Sequence, residues 1–222
     1  MKPGCPEDLL RLQNNRFTFD WKNAEQKVPD KINWHKPVHM PGMVRRWPAY
    51  QKWQKLSYFR KKCDMSLDVD VACSRSGIYS GNIHLQESHT MSLSTFLDYC
   101  ECASRNESHP LSNTGYQYYL AQCPIMLPSN SLQSALLHQL QDDILLEFTG
   151  GVLSQINLWM GAFASHSTLH FDSYHNFLCV LKGSKTVTMF SPLDTPDLYA
   201  CPVFGPNVHH SDVSTSAPDL TM

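Results

Sequence analysis

Apolar and polar positions along the chain fall into stretches of two different periods. Leu67-Asp68-Val69-Asp70-Val71 alternates strictly, which predicts a strand with one buried face. Residues 116–122 are aromatic-rich and read as a second strand. Between them Leu93, Phe96, Leu97 and Cys100 recur at helical spacing, with Ser92 or Ser94 placed to cap the helix start. Leu56 and Phe59 predict a short helix over 54–63. Leu132, Leu136 and Leu140, each four residues from the last, predict another that Ser131 would cap. Residues 36–42 read as a strand ending in a Pro-Gly turn, and 104–114 as a loop. Ser76-Gly77 and Ser80-Gly81 are turn signals, with Ile78-Tyr79 on a bend between them. Residues 1–30 are polar and mixed, with aromatics at Phe17, Phe19 and Trp21, and read as a short helix or extended arm.

Gly150-Gly151 interrupts this pattern. After it, short β-prone runs alternate with turns at 156–161, 168–173, 177–182 and 186–190, and Lys182-Gly183-Ser184 is a hairpin signal. Strands at such regular spacing fit a sandwich or jelly roll. The expected fold class is mainly β with flanking helices.

Length and composition narrow the class further. At 222 residues the chain fits one domain, and 42% hydrophobic with 11% aromatic residues fits a packed core rather than a disordered chain. A net charge of −2 implies no strongly basic face for nucleic acid. The apolar runs are far shorter than a membrane span, and the opening MKPGCPEDLLRLQNN has no apolar signal core, so a cytosolic or nuclear protein is expected. The eight cysteines are scattered without a CxxC pair and are expected as buried thiols. Lys52, Lys55, Arg60, Lys61 and Lys62 form a mild basic cluster, read as a solvated helix face.

The chemistry concentrates at His170 and Asp172. On a strand these residues project to the same side. An imidazole and a carboxylate so placed make two thirds of the 2-His-1-carboxylate triad that holds Fe(II) with open positions. His166 lies four residues before His170, a zinc pairing if the segment were helical. The β-prone context argues against that, and His166 and His175 read as flanking residues.

The neighbourhood carries a family likeness. Asn157-Leu158-Trp159 precedes the His-x-Asp pair; Asn176, Lys182-Gly183-Ser184-Lys185 and Phe190-Ser191-Pro192 follow it. With Tyr119-Leu120-Ala121-Gln122-Cys123-Pro124-Ile125-Met126 and the Trp47-Pro48 to Trp53 segment, the chain resembles the JmjC, cupin-like family of Fe(II)- and 2-oxoglutarate-dependent oxygenases, and in particular its small hydroxylases. The resemblance begins near residue 30. It implies a domain over 31–222, after an arm over 1–30, built as a double-stranded β-helix.

The resemblance also implies roles. His170 and Asp172 match the iron ligands. Lys185 matches the anchor for the C5 carboxylate of 2-oxoglutarate, which Ser167 and a phenol at Tyr119 would share; Tyr116 and Tyr118 leave that register open. Asn176 matches a polar position near the co-substrate, and Asn157 and Trp159 are candidates for the cavity wall. Trp47 and Trp53 read as core. The family's distal His lies roughly eighty residues after the first ligand. This sequence ends 52 residues after His170, so the expectation is a barrel lacking its C-terminal strands and third ligand. His209 and His210 resemble a loop upstream of that ligand. The implied activity is hydroxylation of a protein side chain, impaired in this chain. N-methyl-lysine demethylation, a non-catalytic fragment, and a cupin holding another metal or a sugar are the alternatives.

Overall fold

A computed structural model describes residues 36–79, 86–145, 153–202, 204–205 and 207–213. The arm over 1–30, the Gly150-Gly151 break and the end of the chain lie outside these residues. Among the described residues there are six strands: β1 Asp68–Ser74, β2 Ile78–Tyr79, β3 Ser88–Ser92, β4 Gln117–Met126, β5 Ile156–Gly161 and β6 His166–Ser167. Three α-helices accompany them: α1 Pro48–Lys52, α2 Leu56–Lys62 and α3 Leu93–Ser104. Strands β3, β1, β4 and β5 form one antiparallel sheet in that order, and β2 and β6 pair in parallel.

The alternation read in the sequence is the one the sheet uses. Val69 and Val71 are buried while Asp68 and Asp70 face solvent. The helix α3 covers the same layer with Leu93, Phe96, Leu97, Tyr99 and Cys100, all buried. The Ser92 side chain accepts the Thr95 N–H at 3.2 Å, a cap worth about 1 kcal/mol. Trp47, Trp53 and Phe59 join this core, as expected for the two tryptophans.

Strand β4 carries a feature that no local pattern announces. Its pairing with β5 runs Tyr119↔Gly161 and Leu120↔Met160, then slips to Cys123↔Leu158. Three steps on β4 thus oppose two on β5, which is a bulge, and Gln122 takes it up with φ 52°. The extra residue flips the parity of the strand. Tyr118 and Leu120 therefore share the core face with Cys123 and Ile125, while Tyr119 turns to the other side of the sheet.

Three sequence expectations are corrected. The segment after Ser131 is not an α-helix: a 3₁₀ turn covers His138–Asp143, Leu132 is fully exposed and Leu136 is 40% exposed. Ala135 is buried, and so are Leu137, Leu140 and Asp143, whose spacing of three matches 3₁₀ rather than α geometry. Residues 36–42 form no strand, and the chain instead turns at Gly42, φ 77°, into a 3₁₀ turn over Met43–Arg46. The runs 168–173, 177–182 and 186–190 are not in ladders, because a strand needs a neighbour and the described residues offer these little. Gly183 does make the expected turn, φ 80°.

Asp143 ties the layers together. It is 1% exposed and accepts from Lys52 Nζ at 2.7 Å, Trp53 Nε1 at 3.0 Å and Tyr58 Oη at 2.6 Å. Burial pushes its carboxyl up, but the three donors and the Lys52 charge outweigh it and hold the group below its ordinary value. The described cysteines are free thiols, and burial pushes Cys63 and Cys123 up to about 11 and Cys100 to about 12. Among the described residues no helix is long and apolar enough to cross a membrane.

Candidate functional site

The site lies on the face of the sheet opposite the core. β5 alternates, so Leu158 enters the core and Trp159 and Gly161 fall on the face that holds Tyr119. Asn157, half-buried, pairs with Pro124 further along the same strand. The Tyr119 hydroxyl accepts from Lys185 Nζ at 3.0 Å, a contact between residues 66 apart in sequence. Of the three neighbouring tyrosines it is Tyr119 that meets the lysine; Tyr118 instead packs edge-on against Tyr99 in the core. Tyr79 and Trp159 flank the Tyr119 ring at centroid distances of 5.1 and 6.0 Å. Trp159 is 42% exposed and stands beside Tyr119 rather than in the core.

The short parallel pairing of β2 with β6 brings in Ser167. Tyr79 and Ser167 are register partners, and the His166 N–H donates to the Gly77 carbonyl at 2.8 Å. Gly77 is required there: its φ is 74°, and a Cβ would stand 2.9 Å from Gln117 Oε1. The bend expected at Ile78-Tyr79 is thus a two-residue strand that sets Ser167 beside the tyrosine cluster.

His170 and Asp172 follow β6. The Nδ1 of His170 lies 2.7 Å from the Thr168 carbonyl. A carbonyl only accepts, so Nδ1 is the donor, and the neutral form of this ring has its lone pair on Nε2. Asn176 Nδ2 donates to Asp172 Oδ2 at 2.5 Å, leaving the other carboxylate oxygen. Asn176 thus meets the carboxylate, where the resemblance placed it by the co-substrate. All four residues from Ser167 to Asn176 named here as candidates are exposed, as is Lys185.

One partner of His170 was read only as a loop residue. His170 and His210 form an antiparallel bridge, framed by Phe171 N–H to His209 O at 2.9 Å and Ser211 N–H to Leu169 O at 3.0 Å. The two imidazoles stand 5.5 Å apart at 32°, and His210 Nδ1 is buried with no hydrogen-bond partner among the described residues. Burial, then the neighbouring His170 and His209, pull the His210 pKa down, with Asp172 acting the other way. The contact spans 40 residues, and no local signal foretold it. Among the described residues no group of three or more His, Cys, Asp or Glu side chains is drawn together tightly enough to hold a metal. Two donors, a lone-pair imidazole nitrogen and a carboxylate oxygen, are nonetheless the chemistry that suits a divalent iron.

An antiparallel sheet with flanking helices fits a cupin-like domain. The cupin-like domain profile matches residues 25–222, and the chain belongs to that family. The relatives it is similar to are JmjC proteins. It is 30% identical to lysine-specific demethylase JMJ31 of Arabidopsis thaliana, over 100% of this chain and 43% of the relative. It is 31% identical to the human bifunctional peptidase and (3S)-lysyl hydroxylase JMJD7, over 73% of this chain and 49% of the relative. JmjC domain-containing protein E of Dictyostelium discoideum is 25% identical, over 76% of this chain and 50% of the relative. The chain spans about half the length of these relatives, which are JmjC proteins by name.

Proposed function

We propose that this domain is an Fe(II)- and 2-oxoglutarate-dependent oxygenase of the JmjC type, acting on a protein side chain. The carrying observation is the Lys185–Tyr119 hydrogen bond at 3.0 Å. An ammonium and a phenol held together on a sheet face suit one end of a dicarboxylate, with Ser167 a second hydroxyl close by. His170 Nε2 and the second oxygen of Asp172 would hold the metal. Thr168 and Asn176 fix which atoms of those two side chains are presented. Iron and 2-oxoglutarate, when bound, would supply the site at which dioxygen, the oxidant, gives one oxygen atom to the hydroxyl placed on a C–H bond and the other to succinate, as 2-oxoglutarate loses carbon dioxide.

The rest falls to the chain itself. Lys185 and Tyr119 orient the keto acid, and Trp159 gives it an apolar wall. The exposure of His170 and Asp172 suits a substrate as large as a protein, whose side chain approaches from outside. The names of two relatives point to lysine: one to demethylation, the other to lysyl hydroxylation. Both outcomes use the same iron chemistry, and the mass change of a lysine peptide, +16 against −14 or a multiple (about, in daltons), separates them.

The test is succinate formation by the purified chain. The expected result is turnover that needs both iron and 2-oxoglutarate and stops on chelation, slow because among the described residues no third ligating side chain joins His170 and Asp172. Binding of 2-oxoglutarate without any iron-dependent succinate would instead support a non-catalytic binding role. An absence of binding would favour a cupin site for another ligand.

A further inference from the structure

The geometry points to Gly161 as a positioning residue for the dicarboxylate anchor, an inference that rests on reading Lys185 and Tyr119 as that anchor. Gly161 is the direct cross-strand partner of Tyr119. A Cβ built on it would stand 2.8 Å from Tyr119 Cδ2 and 3.3 Å from Cε2. The backbone itself does not demand glycine, since Gly161 is not among the residues of positive φ. What the position demands is space for the face of the tyrosine ring.

That ring has nowhere to go. Tyr119 is 5% exposed and is held between Tyr79 at 5.1 Å and Trp159 at 6.0 Å. A methyl group at 161 would therefore tilt the ring as a unit. The hydroxyl lies at the far end of the ring from the strand, so a small tilt moves it by several tenths of an ångström or more. Its hydrogen bond with Lys185 Nζ depends on that placement. Gly161 thus sets where the phenol and the ammonium meet, without touching the ligand. A purely architectural role, in which the ring shields a glycine in the sheet, would make the same contact but would not act through the hydroxyl.

A double-mutant cycle on the 222-residue chain separates the two, with the dissociation constant of 2-oxoglutarate measured calorimetrically in Mn(II). Gly161→Ala is expected to weaken 2-oxoglutarate about tenfold while leaving Mn(II) affinity unchanged, and Tyr119→Phe to do the same. The double variant should bind no worse than Tyr119→Phe alone. Parent-like affinity in Gly161→Ala, or additive losses in the double variant, would overturn the inference while leaving the anchor in place. No 2-oxoglutarate binding by the parent would overturn the anchor and the inference together. Should Gly161→Ala fail to fold, Tyr119→Leu removes the ring it collides with. Recovery of folding in Gly161→Ala with Tyr119→Leu is then expected, and continued failure would show that the glycine serves the sheet alone.

Discussion

Alanine at His170 or Asp172 is expected to abolish iron-dependent succinate formation and to weaken Mn(II) binding on the order of 100-fold or more. Each change removes one donor whose lone pair is already aimed by a neighbour, the Thr168 carbonyl for His170 and the Asn176 amide for Asp172. Both side chains are exposed, so folding should barely register the loss, with thermal midpoints within about 2 °C of the parent. Calorimetric Mn(II) titration and a thermal scan of the same samples check both halves. Activity that survives His170→Ala could not come from this site.

Asp143→Ala is expected to have the largest effect on stability, about 3 kcal/mol by chemical denaturation. The carboxylate is buried and receives three donors from Lys52, Trp53 and Tyr58, some 85 to 91 residues away. Its removal leaves the buried indole N–H of Trp53 without an acceptor. It also unties the 3₁₀ turn over His138–Asp143 from α1 and α2. The pH dependence follows from the direction of its shift. A carboxyl held below its ordinary value stabilises the fold at neutral pH, and that stabilisation fades as pH falls through the folded value. The stability gap between the parent and Asp143→Asn should therefore be widest above about pH 4 and narrow below it. A gap that grows towards acid would contradict this assignment.

Much of the sheet could be read from local pattern, because burial on one face imprints a period of two. Val69 and Val71 gave β1, and the 156–161 run gave β5 with the bounds the structure shows. The helix α3 was legible for the same reason at its own period, cap included. The failures have a common cause in tertiary contact. Leu132, Leu136 and Leu140 make an α-helical stripe on paper, yet the chain buries Leu137, Leu140 and Asp143. The pinning of Asp143 by distant side chains favours the tighter turn. The bulge at Gln122 leaves no local mark, and it decides that Tyr119 rather than Tyr118 faces Lys185.

The candidate site was legible mainly through likeness to a family. Spacing alone offered His170 and Asp172, whereas Lys185, Ser167 and Tyr119 rested on matched positions. Gly161 went unremarked, and His210 was read in a loop rather than beside His170, because each matters through a residue far off in sequence or across a strand pair. A glycine at the end of a β-prone run reads as a turn signal until the ring above it is seen.

The central proposal is that a metal pair, His170 and Asp172, and a dicarboxylate anchor, Lys185 and Tyr119, hold one keto acid between them. Calorimetry of 2-oxoglutarate binding, with and without Mn(II), tests it most directly on the parent and on Lys185→Met. The account predicts that Mn(II) tightens 2-oxoglutarate in the parent by on the order of tenfold or more, and that Lys185→Met weakens it with or without metal. Binding that ignores both Mn(II) and the loss of Lys185 would contradict it.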